Sequence, residues 1–334
     1  MALKDRVLAL LEDNRGSYLS GEEIARQLGV SRNSVWKAVR QLQSEGHGID
    51  GVTNRGYALR ADSGVVSVPG IMKYLRHRDL ALSVYPTVTS TNTLLKQAAE
   101  DGTPEGTVFV AEEQTAGRGR LGRSFYSPAG TGIYFSILLR PSMPASESLL
   151  ITTGAAVACA QALEAVSGVE TQIKWVNDIY AAGKKVCGIL TEASMDLESG
   201  GLHYAVLGIG VNLLKPDGDF PEDIRDKAGA LFSDDRDGDI RCRIVAEVLD
   251  RFLDLYAHLT EKRFLEEYRR RSMLTGQSVD VLRGGTVTPA VAEGIDDTFA
   301  LIVRYADGRV EHLGSGDVSV RKNPAESPKF HGEI

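Results

Sequence analysis

Between Thr107 and Arg123 the chain reads TVFVAEEQTAGRGRLGR. A short apolar run, Val108-Phe109-Val110, opens into a segment holding three glycines and three arginines. Gly117, Gly119 and Gly122 let the backbone turn tightly and come close to a ligand. Arg118, Arg120 and Arg123 concentrate fixed positive charge, which suits phosphate or carboxylate. An anion-handling loop is the chemical reading, and a solvated basic hairpin loop is the plain alternative. Gly117-x-Gly119-x-x-Gly122 also matches the dinucleotide fingerprint, which requires a helix directly after the glycine turn. Here Ser124 to Gly130 predict a turn and Ile133 to Leu139 a strand, so that reading is set aside.

Other stretches carry compatible chemistry. Ser90-Thr91-Asn92 opens a helix, either as simple capping or as a holder for a small polar ligand. Gln172 to Tyr180 reads as a strand ending in Asn177-Asp178, with Lys174 upstream on the same strand. That ending is an Asx turn or a carboxylate–amide pair for Mg²⁺ near a triphosphate. A return strand begins at Lys185 and runs to Glu192. A third, Tyr204 to Asn212, carries Gly208 and Gly210, as where a ligand comes close to a strand. None of His47, His77, His203, His258, His312 and His331 falls in these motifs, so a Ser/His or Cys/His nucleophile is unsupported. Cys187 lies inside one, as an apolar strand residue.

The elements that would position these groups follow from pattern. The chain has 334 residues, 25% charged and 43% hydrophobic, a soluble composition with room for two or three domains. No apolar run reads as a membrane span and the N-terminus is not a signal peptide. Cys159, Cys187 and Cys242 are odd in number and far apart, which favours a reducing cytoplasm over disulfides or zinc. The net charge is −7, yet residues 1–62 carry +1, which permits nucleic-acid contact there.

Residues 4–13 predict a helix with Val7, Leu8, Leu10 and Leu11 inside. Ser20 and Glu23 form a capping box for a second helix that Gly29 stops. Ser31 caps a third, with Val35, Ala38, Val39 and Leu42 buried. Asn33, Lys37, Arg40 and Ser44 share its outer face, the mixture of amide and cations that reads bases and holds phosphates. Residues 46–59 complete a winged helix-turn-helix, with Asn54 and Arg55 at the wing tip. Such a unit used only for protein contacts is the alternative. A small-residue link follows near residue 65. The strand at 82–85 precedes a helix with Leu94, Leu95 and Ala98 apolar. Residues 145–167 form one long helix and 239–274 two more, the last ending in an arginine run that complements its dipole. Val279 to Arg321 alternates in short strands with Gly284-Gly285 and Asp307-Gly308 turns, as in a small β-barrel.

Taken in order, Ser90-Thr91-Asn92, Gly117 to Arg123, Lys174 to Asp178, Lys185 to Leu190 and Gly208 to Asn212 resemble the biotin–protein ligases. With the winged helix in front, the chain resembles the bifunctional form that also represses biotin genes. Val176 departs from the family, which usually has proline there. The resemblance implies an α+β multidomain protein: a winged helix-turn-helix over 1–64, a class II synthetase-like mixed sheet over 65–274, an SH3-like barrel over 275–322 and a tail over 323–334. It implies two steps, formation of biotinyl-5′-AMP from biotin and ATP, then transfer of biotin to a lysine of a biotin carboxyl carrier protein. Lys185, Arg120 and Asp178 are then the catalytic set. Ser90, Thr91, Asn92, Gln114, Gly117, Arg118, Gly119, Arg120, Lys185 and Gly188 would hold biotin. Arg118, Arg123, Lys174, Asn177, Asp178 and Asn212 would hold the nucleotide, Asp178 also its Mg²⁺. Arg32, Asn33, Ser34, Lys37, Arg40, Asn54 and Arg55 would meet operator DNA of biotin genes. The resemblance further implies a homodimer when biotinyl-5′-AMP is bound, with the loop over 115–125 coupling ligand to dimer; the glycines of that loop would let it order on binding as a lid. Rival readings are a vestigial winged helix, a lipoate-type ligase, and a sensor that has lost catalysis.

Overall fold

A computed structural model describes residues 2–196, 200–233, 238–283, 286–314 and 319–322. Three helices come first: α1 (Leu3–Asp13), α2 (Gly21–Leu28) and α3 (Arg32–Ser44). Ser20 accepts a hydrogen bond from Glu23 N, and Gly29 ends α2 in the left-handed region at φ 66°. Ser31 caps α3 by accepting from Ser34 N. These caps fix the turn between α2 and α3, so Val35, Val39 and Leu42 close on Val7, Leu8, Leu11 and Ile24 in a separate small core. The wing is an antiparallel hairpin of β1 (Ile49–Val52) and β2 (Gly56–Leu59).

After α4 (Val68–Tyr74) come β3 (Ala81–Val88), α5 (Thr91–Glu100), β4 (Thr107–Gln114), β5 (Gly132–Leu139) and α6 (Leu149–Ser167). The sheet continues through β6 (Thr171–Lys174), β7 (Asp178–Ala181), β8 (Lys184–Met195) and β9 (Leu202–Asn212), and α7 (Ile240–Tyr256) and α8 (Leu265–Arg271) follow. The seven strands lie in the order β3-β4-β5-β9-β8-β7-β6. Only β3 and β4 pair in parallel, with α5 as the crossover between them. The sheet is therefore mixed, and β5, buried along its whole length, sits near its centre.

Several expectations shift. The helix over 145–167 is long and apolar enough by composition to cross a membrane, which the sequence reading did not allow, but it is packed inside the protein. Its alanines lie against the sheet and α7, in the main core. The buried stripe of α5 is Thr91, Asn92, Leu95 and Ala99, with Leu94 and Ala98 only half-buried. Asn177-Asp178 does not end a strand, because β6 stops at Lys174 and Asp178 opens β7. The turn between them holds a cis peptide joining Trp175 and Val176.

The arginine run does more than complement a dipole. Arg271 is buried and grips both oxygens of Glu164 at 2.6 and 2.7 Å, while Arg269 and Arg270 pair with Glu266 and Glu267. The C-terminal strands β10 (Ser278–Arg283), β11 (Thr286–Ile295), β12 (Leu301–Tyr305), β13 (Val310–Leu313) and β14 (Ser319–Lys322) form one antiparallel sheet, ordered β13-β12-β11-β10-β14. The expected Gly284-Gly285 turn and the tail over 323–334 lie outside the described residues. This sheet shares the main core and buttresses the 175–177 turn. Trp175 Nε1 donates to Phe299 O at 2.9 Å, and Tyr268, edge-on to the Phe299 ring, donates to Val176 O at 3.0 Å.

Candidate active site

The start of α5, the loop over 115–131, the 175–177 turn and the ends of β8 and β9 surround a cavity of about 690 Å³. Ser90, Thr91, Asn92, Gln114, Arg118, Gly119, Arg120, Arg123, Lys174, Asn177, Asp178, Lys185, Gly188 and Asn212 all line it. Gly117 is the exception among the expected ligand residues. A Cβ there would overlap the Phe125 carbonyl oxygen and stand 2.6 Å from Ser127 Oγ. Its glycine lets the loop fold back on itself, where Phe125 N donates to Gly117 O and Gly119 N to Arg123 O.

The floor is made of opposed glycines. Gly188 on β8 faces Gly210 on β9, and Gly208 sits opposite both Leu190 and Ser136. With no Cβ atoms, the sheet admits two side chains directly onto its backbone. The Phe125 ring lies over Gly188 and Gly210, and Asn92 Oδ1 occupies the space that a Gly208 Cβ would need. Asn92 is then held from three directions. Ser136 Oγ donates to its Oδ1 at 2.6 Å, while its Nδ2 donates to Glu192 Oε2 at 3.0 Å and to Leu190 O at 3.3 Å. Thr91 N donates to Gln114 Oε1 at 2.9 Å, and Gln114 Nε2 donates to Ser127 Oγ. Ser90 caps α5, which accounts for the capping reading, and Thr91 and Asn92 turn inward.

Positive charge dominates the rim. Six cations and two carboxylates (Asp178 and Asp226) line the cavity. Lys185 Nζ meets Asp178 Oδ1 at 2.6 Å across the β7–β8 pair, both side chains about a quarter exposed. Arg120 Nη1 donates to Asn177 Oδ1 at 3.1 Å, and Asn177 Nδ2 is anchored on Ile189 O. Burial pulls the Arg120 pKa down, and the charge of Asp178 opposes that pull. Arg118 reaches Glu192 at 3.3 Å, and Lys96 shares the same carboxylate oxygen at 3.1 Å. Burial works to raise the Glu192 pKa, but the Asn92 amide, Lys96 and Arg118 together hold it below the usual carboxylate value. No cluster of three or more His, Cys, Asp or Glu suited to a metal occurs among the described residues.

Glu192, Phe125 and Lys227 were missed from the sequence. Glu192 was legible in principle, since counting by twos from Gly188 along β8 places Leu190 and Glu192 on the cavity face. Lys227 had no signal. It comes from a loop after β9 that lines the cavity with Phe220 and Ile224, tied down because Lys185 N donates to Lys227 O and Gly229 N to Lys185 O. Of the residues expected to meet DNA, Arg32, Asn33, Lys37 and Arg40 are exposed on α3. The Ser34 hydroxyl is 2.9 Å from that of Ser31, inside the helix cap. Asn54 takes a left-handed φ of 65° at the wing tip, and Arg55 lies 4.3 Å above the Tyr18 ring.

Residues 84–212 match the biotin/lipoate A/B protein ligase family, 4–58 a helix-turn-helix domain and 275–321 the biotin protein ligase C-terminal domain. The bifunctional ligase/repressor BirA of Bacillus spizizenii is 33% identical over 325 residues, covering 95% of this chain and 98% of that protein. The chain belongs to the biotin protein ligase family. The match to that relative takes in the helix-turn-helix domain and the C-terminal domain of this chain. The bifunctional ligase/repressor BirA of Escherichia coli is 26% identical, covering 95% of this chain and 96% of that protein. A biotin protein ligase from Aquifex aeolicus, solved in complex with biotin and ATP, is 29% identical with a TM-score of 0.61. The match spans 73% of this chain and 99% of that one.

The floor yields a direct check. Gly208→Ala is expected to evict the Asn92 amide and lower stability by about 1–3 kcal/mol, the usual cost of overpacking. A denaturant midpoint unchanged from wild type would show that the amide moves away at no cost.

Proposed function

We propose that this chain is an ATP-dependent biotin–protein ligase that also represses transcription of biotin genes, and that the cavity described above is its adenylation site. The observation that carries the reading is the junction of Lys185, Arg120 and Arg118 with the buried amide of Asn92 and the half-buried amide of Gln114 in one cavity. Biotin and ATP are the substrates, and a carboxylase carrier domain is the acceptor. A lipoate-type ligase is disfavoured by the full-length match to ligase/repressors. On this reading residues 1–64 bind DNA, 65–274 carry the ligase chemistry, and 275–322 form an SH3-like barrel that braces the 175–177 turn.

The ring system of biotin offers urea N–H and C=O groups, and the Ser90 to Asn92 segment with Gln114 supplies acceptors and donors for them. Phe125 and the Gly188–Gly210 floor would flank its apolar body. The valerate carboxylate then points to Lys185, Arg118 and Arg120. Its oxygen attacks the α-phosphorus of ATP, the P–O bond to pyrophosphate breaks, and biotinyl-5′-AMP remains. Both partners are anionic, so the barrier falls chiefly through positive charge fixed where negative charge gathers. Lys185 bridges carboxylate and α-phosphate, and Asp178 and Asn177 keep Lys185 and Arg120 in place until the substrates arrive. Lys174, Arg123 and Asn212 take the nucleotide side. Asp178 presents one carboxylate near the phosphates, the type of contact a nucleotide-borne Mg²⁺ uses, and that ion would neutralise phosphate charge. In the second step the acceptor amine attacks the acyl carbon and AMP leaves.

The arginines of the loop would retain the mixed anhydride and exclude water from it. Biotinyl-5′-AMP would also stabilise a homodimer competent for operator DNA.

Transfer of radiolabelled biotin to a carrier domain, with lipoate as the competing acid, tests the enzyme; preferential lipoate transfer would reassign the substrate. Lys185→Ala is expected to lose adenylation by about 10²-fold or more while staying folded, on the scale of removing one charge-stabilising donor. Full activity would refute its assigned role. Arg120→Gly should release biotinyl-5′-AMP into solution, read by trapping the free adenylate; retention equal to wild type would return the loop to a passive role. In gel shifts on the biotin-gene promoter, affinity should rise when biotin and ATP are added together. Unchanged affinity would separate DNA binding from the ligand.

A further inference from the structure

One aromatic in the DNA-reading helix stands half in solvent and outside the small core. Trp36 is 51% exposed in the second turn of α3. The chain's other tryptophan, Trp175, is 7% exposed and spends its indole N–H on Phe299 O. Among the described residues Trp36 has no hydrogen-bond or ring partner. Successive helical residues rotate by about 100°, so Arg32, Trp36 and Arg40 form a row one turn apart, and Asn33 and Lys37 flank it.

The charge around that row is not offset by nearby carboxylates. Arg32, Lys37 and Arg40 have no acidic partner among the described residues, and α3 itself contains no acidic residue. Other surface arginines do carry a carboxylate partner, as in the pairs of Arg269 with Asp297, Arg270 with Glu267 and Arg304 with Glu293. A large apolar ring left in water amid unneutralised cations fits a polyanion that also offers apolar groups. The DNA major groove is that surface: phosphates line its walls and thymine C5-methyl groups project from its floor.

We propose that Trp36 is a base-reading residue that packs on thymine methyl groups in the major groove and sets sequence preference, while Arg32, Lys37 and Arg40 supply phosphate contacts. The inference rests on the reading of the N-terminal unit as a DNA-binding repressor domain. It adds a specificity determinant beyond the polar residues of that helix. Trp36 is not a member of the small core, so its replacement is expected to leave the fold and the ligase reaction unchanged.

The test starts with full-length chain, biotin and ATP, and a random-sequence duplex pool from which the bound fraction is enriched. In the enriched duplex each thymine is then replaced in turn by deoxyuridine, which removes only the methyl group. At one or two positions the wild-type chain should lose about fourfold in affinity, the worth of one buried methyl. Trp36→Ala should bind the thymine and deoxyuridine duplexes equally and keep the wild-type salt dependence. Arg40→Ala should instead weaken binding to all duplexes and lower the salt slope by about one. Biotin transfer by Trp36→Ala at the wild-type rate verifies that it is folded. If deoxyuridine costs both proteins the same, or costs neither anything, the Trp36 assignment is wrong while DNA binding stands. If the wild-type chain enriches no sequence, the repressor reading fails and takes the assignment with it.

Discussion

Six cationic side chains facing one cavity repel one another, and most of the architecture around the site can be understood as the means of keeping them there. Two like charges a few ångströms apart cost energy that falls only with dielectric and with opposite charge nearby. The protein supplies that opposition sparingly. Asp178 takes Lys185, Glu192 takes Arg118, and the neutral amide of Asn177 takes Arg120. Each partner is in turn fixed by the sheet, through the β7–β8 register, the length of β8, and the carbonyl of Ile189. The cavity therefore keeps an excess of positive charge for anionic substrates.

The glycine floor answers a different need, depth. A sheet normally presents a layer of Cβ atoms, and here Gly188, Gly208 and Gly210 remove that layer where Asn92 and Phe125 lie on the strands. Both side chains come from outside the floor strands, Asn92 from α5 and Phe125 from the glycine–arginine loop. The polar network of Asn92, Ser136, Glu192 and Lys96 thus joins a helix and a central strand by hydrogen bonds, and the loop arginine Arg118 is ion-paired to it through Glu192. Such a unit has value only when every member is satisfied, since an unpaired buried polar group costs far more than a pair contributes. No buried side-chain nitrogen or oxygen among the described residues lacks a partner.

The site also reaches beyond the central sheet. Tyr268 of α8 and Phe299, from the segment joining β11 and β12, brace the 175–177 turn, so the helix and the C-terminal unit together hold the residues next to Asn177 and Asp178 in place. At the other end, Arg241 connects the inter-domain link to the central unit by donating to Gly64 O at 3.1 Å and to Gly130 O in the loop over 115–131. Arg15 joins buried Glu12 of α1 to the carbonyls of Ala61 and Ser63 in the same link.

By itself the sequence determined whatever depends on local pattern. Capping residues and a 3.6-residue apolar stripe are sufficient to place α2 and α3, because the caps act on backbone groups three residues away. The order of the glycine, lysine and asparagine motifs was enough to name the family and to pick fourteen cavity residues, since the chemistry requires those residue types whatever the packing. Tertiary structure alone decided the rest. It determined that Asp178 opens a strand, that Gly117 serves loop closure, and that an apolar helix fit for a membrane is an interior one. It also placed Lys227 and Phe299, whose contributions depend on chain segments meeting across 42 and 124 positions. No local periodicity encodes such meetings; they follow from how the sheet, the helices and the C-terminal strands share one core.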